Sequence, residues 1–253
     1  MKLSQWIEHL SEPKRLILTW EPHLAVSGRT RWIVGEVRRA SDGVEFRYLK
    51  GAEFSLENNG RSESELKAAG YLGYPAFDPR GSDKIVFDDH VLEAFLRRLP
   101  PSGRSDFGAY LEHHRIQATQ PVSPMALLGA TEARLPGDGF SLVDPFDPEQ
   151  LLCDAVIEVA GHRHYPASRA LLFPGQSLEL THEPDHAHDP HAVRISANGV
   201  VIGYVNRVQA PSVSAWLGTR RIEASLLRLN GSTSKPRAFV FLKVRPGAEL
   251  KAA

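Results

Sequence analysis

Three imidazoles and two carboxylates crowd into the short run Asp185-His186-Ala187-His188-Asp189-Pro190-His191. Imidazole nitrogen and carboxylate oxygen are the donors that hold zinc or manganese, so the run reads first as a metal site. In an extended chain His186 and His188 share a face, whereas His191 lies beyond Pro190 and need not join them. The candidate metal set His186, His188, Asp189 and His191 is therefore a low-ranking reading of the run. Histidine-rich turns also arise by chance in a chain with 11 histidines. The adjacent pair His113-His114 diverges on a helix and is expected at the surface.

Two further groups carry useful side chains. Gly161-His162-Arg163-His164-Tyr165 follows a strand-like segment, and Tyr204 and Arg207 follow another. A guanidinium presents a planar fork to phosphate or to a base edge. Imidazole and phenol rings stack on bases or hydrogen-bond to them. Bland alternatives stand beside each: Arg163 as a surface residue, Tyr165 and Tyr204 as packing residues, and Asp189 as the cap of an Asx turn. No nucleophile constellation is present. Ser102-Gly103 and Gly231-Ser232 lack a strand–turn–helix frame, and neither GxGxxG nor a phosphate loop occurs. The expectation is a non-enzyme, with no cofactor implied.

The elements that must position these residues are legible in outline. In the C-terminal part, strands are expected at 151–160, 177–181, 192–196, 200–206, 221–229 and 237–244. Asn198-Gly199 forms a hairpin turn, and a helix spans 208–217 with Pro211 in its first turn. In the N-terminal part, strands are expected at 16–20, 32–37 and 44–49, the last two joined by a turn at Ser41-Asp42-Gly43. Apolar residues at 91, 92, 95, 96 and 99 share one helical face, with Asp88 as its cap and Pro100-Pro101 as its stop. Shorter helices are expected at 106–114 and 124–129.

Composition sets bounds. One cysteine, Cys153, excludes an intramolecular disulfide and a thiolate metal cage. The first residues lack the apolar core of a signal peptide, and no apolar run spans a bilayer, so a soluble cytoplasmic protein with no membrane partner is expected. The zero net charge divides unevenly. Residues 1–150 carry 18 Lys+Arg against 22 Asp+Glu, while residues 151–253 carry 12 against 8 and six histidines. A modestly basic C-terminal part permits phosphate binding without demanding it. Turn clusters Pro136-Gly137-Asp138-Gly139 and Asp144-Pro145-Phe146-Asp147-Pro148 flank a strand-like Phe140–Val143 and place a boundary near Pro148. The expected fold is α+β in two domains. Residues 1–148 would form a mixed sheet with helices, and residues 149–253 a small OB-like β-barrel with one or two short helices.

The run from Glu183-Pro184 through Asp189-Pro190-His191-Ala192-Val193, followed by Ile202-Gly203-Tyr204-Val205, resembles the HIRAN domain. That module occurs at the front of some DNA-remodelling helicases and in many bacterial proteins. It grips nucleic acid, in the best-understood cases the 3′ end of a DNA strand. The resemblance implies a nucleic-acid-binding set of Arg163, His164, His186, His188, Asp189, Tyr204 and Arg207. Asp189 would accept the terminal 3′-hydroxyl and repel a continuing phosphate. His186 and Ala187 stand where the family commonly has Asn-Pro, and His188 where it often has tyrosine, a departure that puts the strength of end preference in question. Glu183, Pro184, Ala192, Val193 and Gly203 read as determinants of the fold.

The N-terminal part resembles the N-terminal subdomain of HipA-type toxin kinases. The residues that carry this are Trp20, Val34-Gly35-Glu36-Val37, Phe46-Arg47-Tyr48, Tyr74-Pro75-Ala76-Phe77, Phe95 through Gly103, and Met125 through Ala130. The kinase core that would follow in that family has no counterpart in this sequence. Three functions are thus in contention. The first is a binder of single-stranded DNA or 3′ DNA ends, with the N-terminal domain docking a protein or regulating. The second is a protein-interaction module of a toxin–antitoxin or anti-phage system without DNA binding. The third and most distant is a metal-dependent hydrolase.

Overall fold

The computed structural model describes residues 5–22, 31–41, 43–78, 85–166, 171–232 and 235–247. The fold is α+β, and the chain divides into two compact units, each assembled from non-contiguous segments. One contains residues 12–107 and 122–144; the other contains 1–11, 108–121 and 145–253.

The first unit is built on an antiparallel sheet in the order β4-β3-β2-β1-β5. Its strands are β1 (Arg15–Trp20), β2 (Trp32–Ala40), β3 (Gly43–Tyr48), β4 (Val86–Phe87) and β5 (Phe140–Val143). Ala40 pairs with Gly43 at the β2–β3 hairpin, while Asp42 of the expected turn lies outside the described residues. The helices are α1 (Gly51–Glu57), α2 (Glu63–Ala68), α3 (Val91–Leu96) and α5 (Pro124–Thr131). Helix α3 starts later than expected: its N-cap is His90, in the left-handed region at φ 51°, and makes no side-chain cap bond. Asp88 therefore does not cap it. Helices α1 and α2 were not foreseen, although α2 opens on a capping box between Ser62 and Glu65.

Aromatic rings fill the centre of this unit. Phe46 meets Tyr48 at 4.7 Å, Phe77 at 5.2 Å and Phe95 at 5.7 Å, and Tyr74 meets Phe95 at 4.7 Å and Phe140 at 5.1 Å. One cation enters this core. Arg98 is buried, donates to the carbonyls of Ala133 (2.8 Å) and Phe140 (3.1 Å), and forks onto Asp138 at 2.7 and 3.2 Å. Its donors tie the end of the α3 region to the segment leading into β5. Arg98→Met should strand two carbonyls and the Asp138 carboxylate, costing about 3 kcal/mol. Urea unfolding with a midpoint unchanged from wild type would contradict this.

The second unit is a six-stranded antiparallel sheet in the order β6-β11-β10-β7-β8-β9. Its strands are β6 (Cys153–Glu158), β7 (Ser177–His182), β8 (Val193–Ala197), β9 (Val200–Tyr204), β10 (Arg220–Ser232) and β11 (Lys235–Pro246). β8 and β9 are joined by Asn198-Gly199 with φ 50° and 77°, the backbone of a type I′ hairpin. The sheet curls until its outer strands meet at a single bridge, Ala160 with Tyr204. The expected barrel is therefore joined by one bridge and not by a full ladder.

Helix α6 (Ala210–Thr219) lays Trp216, fully buried, into a core of Ile195, Ile202, Leu226, Val240 and Leu242. The Trp216 indole donates to the Pro148 carbonyl at 3.0 Å and the Ser212 hydroxyl to the Pro145 carbonyl at 2.8 Å, anchoring the entry segment. Two remote segments complete the unit. The Ile7 amide donates to the Arg115 carbonyl at 2.8 Å. Buried Asp154 accepts from the Glu8 amide (2.9 Å), the His9 amide (3.1 Å) and Arg245 (2.7 Å).

Helix α4 (Phe107–His113) ends in the pair expected at the surface. His113 is exposed, but His114 is half-buried, with its ring 4.9 Å from Tyr110. Burial, reinforced by His113 and Arg228, pushes the His114 imidazole down from 6.5 to about 3. The unfolded chain thus takes up a proton where the fold does not. This contribution is intact above pH 6.5 and is lost as the pH falls toward 3. His114→Phe should flatten that part of the stability–pH curve in urea titrations; parallel curves for the two proteins would refute the assignment.

Candidate nucleic-acid interface

The candidate residues sit on three segments of the second unit, and one tyrosine joins them. Ala160 and Tyr204 exchange both backbone hydrogen bonds, at 2.8 and 3.0 Å. Directly after Ala160 the chain turns at Gly161 (φ 71°) into a short 3-10 turn, His162–His164. Of this histidine pair, His162 is buried, and its Nδ1 meets the Ile202 carbonyl at 2.8 Å. That contact pins the turn to β9 and leaves Arg163 and His164 exposed. The Arg163 Nε donates to His164 Nε2 at 3.1 Å.

Tyr204 ends β9. Its hydroxyl donates to Glu183 Oε2 at 3.1 Å, and Glu183 Oε1 pairs with Arg194 at 2.7 Å. Burial first, then the Glu183 carboxylate and Tyr165, push the Tyr204 phenol up to about 12. It is a neutral donor at every physiological pH. Glu183, expected only as a determinant of the fold at a strand end, is thus the acceptor that fixes the Tyr204 ring. Tyr165, expected to pack, stands close enough to influence the same hydroxyl.

The third segment is the loop from Glu183 to Ala192. It is closed by the Glu183 amide on the Ala192 carbonyl at 2.8 Å, and inside it successive turns place His186 N–H on Glu183 O (3.1 Å) and Ala192 N–H on Asp189 O (3.0 Å). Asp189 Oδ1 accepts from the His191 amide at 2.8 Å, an Asx turn spanning Pro190. The His186 ring lies 5.3 Å from the Tyr204 ring at 56°, and 5.9 Å from His188. His186 and Asp189 are half-buried, whereas His188 and His191 are exposed. Among the described residues no group of three or more His, Cys, Asp or Glu could hold a metal ion, so the candidate set His186, His188, Asp189 and His191 is not gathered round a point. Arg207 is half-buried in the turn between β9 and α6.

The contacts therefore tie His186, Tyr204 and the 161–165 turn into one surface, with Arg163, His164, His188 and Asp189 carried on the same turns. Sequence comparison bears on this surface. Residues 153–238 match the HIRAN domain. The matched segment starts with β6 and contains all three turns of the interface. Two solved structures are similar to the chain. The HIRAN domain of human HLTF shares 16% identity, covering 39% of this chain and 81% of that one, with a TM-score of 0.33. A protein from Lactobacillus plantarum shares 18% identity, covering 38% and 96%, with a TM-score of 0.32. No curated protein matches the chain. No helix among the described residues is long and apolar enough to cross a membrane.

Within the HIRAN segment, Gly203 makes the surface possible. A Cβ there would stand 2.5 Å from the Ala160 carbonyl oxygen and 2.5 Å from Val159 Cγ1, at a φ of 143°. Gly203→Ala should break the bridge and cost roughly 2–4 kcal/mol from overpacking and backbone strain together. Amide exchange at Tyr204 should then accelerate; protection equal to wild type would show that the approach is dispensable.

Proposed function

We propose that the HIRAN segment binds nucleic acid, and specifically single-stranded DNA at its 3′ end. The observation that carries this is the junction at Tyr204, where a ring fixed by Glu183 lies beside His186 and next to the turn bearing Arg163. A preset aromatic face suits stacking on a terminal base, worth about 1–3 kcal/mol. An exposed guanidinium on the adjoining turn suits the phosphate behind that base. Asp189 would accept the terminal hydroxyl through the lone pairs that its turn leaves over. His164 and His188, exposed on the same turns, would add stacking or hydrogen-bonding rings for a base. Arg207 would contact a phosphate farther along. Binding of this kind needs no covalent step, and no catalytic role is proposed.

The 12–107 and 122–144 unit is assigned to protein docking or regulation. Supporting this is a cavity of about 310 Å³ lined by residues that include Tyr48, Phe54, Leu66, Tyr71 and Leu72. Leu72 at its rim is 72% exposed. This unit is also the basis of the competing reading, a protein-interaction module without DNA binding.

Fluorescence anisotropy with labelled single strands separates the two. Salt-sensitive binding should favour a 3′-hydroxyl over a 3′-phosphate end, weaken by on the order of tenfold in Tyr204→Ala, and lose its end preference in Asp189→Ala. Absence of binding at low salt would remove the nucleic-acid reading and leave the protein-interaction one.

A further inference from the structure

Away from the Tyr204 junction, the outer face of β10 and β11 carries a concentration of arginine that the interface above does not use. Glu158, Phe239 and Arg228 form one cross-strand row over β6, β11 and β10. Ala238 and Val240, which alternate with Phe239, are fully buried on the opposite face. Two guanidinium groups lie over the Phe239 ring, Arg228 at 4.5 Å and Arg237 at 5.0 Å. Beside them Arg115 lies 6.0 Å from the Trp6 ring.

The charges are poorly neutralised. Arg237 forks onto Glu158 at 2.7 and 2.9 Å. Among the described residues Arg228 donates to one carbonyl, that of His113 at 2.8 Å, and pairs with no carboxylate. The Nε atoms of both Arg115 and Arg228 are buried with no hydrogen-bond partner among the described residues. Burial and then the fields of Arg115 and Arg237 lower the proton affinity of Arg228, and burial followed by the fields of Arg228 and Arg115 lowers that of His113. Among the described residues these three arginines meet one carboxylate, that of Glu158, in a half-buried place. Arg115 also adopts φ 64° just past the end of α4, where glycine is the conformationally easy residue. An anion placed among them would offset the mutual repulsion of these like charges.

We propose that Arg115, Arg228 and Arg237 form a phosphate track for single-stranded nucleic acid, extending the interface beyond the strand end gripped at Tyr204. The inference rests on the reading under Proposed function. Continuity favours a nucleic acid over an acidic peptide: the His162–His164 turn packs against β11, and the Val159 amide donates to the Ala238 carbonyl, next to Arg237, at 2.9 Å. Phe239 and Trp6 place aromatic surface among the cations, the mixture that sequence-tolerant strand binding uses.

The test uses the full chain with Arg115→Gly and Arg228→Gln combined. Glycine suits the left-handed backbone at 115, so the charge is removed without strain. Arg237 is kept, because its removal would strand Glu158. Labelled oligothymidines of about 6 and about 24 nucleotides serve as probes, the first near the lower end of the site sizes of OB-type modules and the second beyond their upper end. The double variant should bind the long probe on the order of tenfold more weakly, with the log K against log salt slope shallower by about 1.4, as expected for two lost phosphate contacts on a single strand. It should bind the short probe as wild type does, and melt at the wild-type temperature. Equal affinity and slope for the long probe would overturn the track while leaving the Tyr204 interface standing. Failure of wild type to bind either probe would overturn both. Polyglutamate that binds wild type and not the variant, with DNA binding unchanged, would also overturn the track and assign the patch to an acidic protein partner.

Discussion

Backbone cannot approach backbone within hydrogen-bonding range at residue 203 if a side chain is present, and much of the second unit depends on that approach. The Ala160–Tyr204 bridge is the point at which the outer strands of a curled sheet meet. Position 203 sits on the inner side of the contact, and the Ala160 oxygen occupies the space of its missing Cβ. Once the two strands touch, three consequences follow from chain geometry. The 161–165 turn is delivered beside β9, His162 reaches the Ile202 carbonyl, and Tyr204 faces the loop that begins at Glu183. The surface is thus a product of sheet closure.

Hydrogen bonding then converts proximity into a fixed geometry. Glu183 has two carboxylate oxygens and uses one for Tyr204 and the other for Arg194. The ion pair holds the acceptor in place, and the acceptor holds the ring. A tyrosine oriented this way loses little entropy when a base stacks on it, which is the usual route by which preorganisation strengthens binding. Asp189 combines a structural role with free capacity. One of its oxygens serves the His191 amide, and a carboxylate retains further lone pairs for a ligand hydroxyl. The turn that the sequence suggests as a bland alternative is compatible with the chemistry it was set against.

The sequence revealed much of the strand framework because alternation and turn chemistry are local signals. Asn198-Gly199 announces its hairpin, and the strands around it differ from expectation by a few residues only. The helix end at residue 90 was misplaced because a left-handed His90 supplies the turn that Asp88 was expected to cap. Helices α1 and α2 were overlooked, although Ser62-Glu63-Ser64-Glu65 spells out a capping box. At the candidate site, residue types were readable but their partition was not. Nothing local distinguishes His162, which is buried, from His164, which is exposed, because the difference lies in which ring meets a carbonyl on a strand 40 residues away. Glu183 looked like a strand end for the same reason: its partners Tyr204 and Arg194 adjoin it only after β8 and β9 have paired.

The segments at 5–11 and 108–121 were the least legible, and they bear on what counts as the folding unit. Neither has a pattern that says which sheet it covers. Yet Asp154, buried on β6, is satisfied by the Glu8 and His9 amides together with Arg245. Without the first segment that carboxylate would lose two of these donors in a low-dielectric place, a penalty of a few kcal/mol. Arg245, in turn, lies on the part of β11 that runs beyond the family match at residue 238. The 153–238 segment consequently holds the residues of the candidate interface but not all of the groups that keep β6 in register with its neighbours. Because β6 leads directly into Ala160 and the 161–165 turn, support for the proposed binding surface comes from outside the segment that carries it.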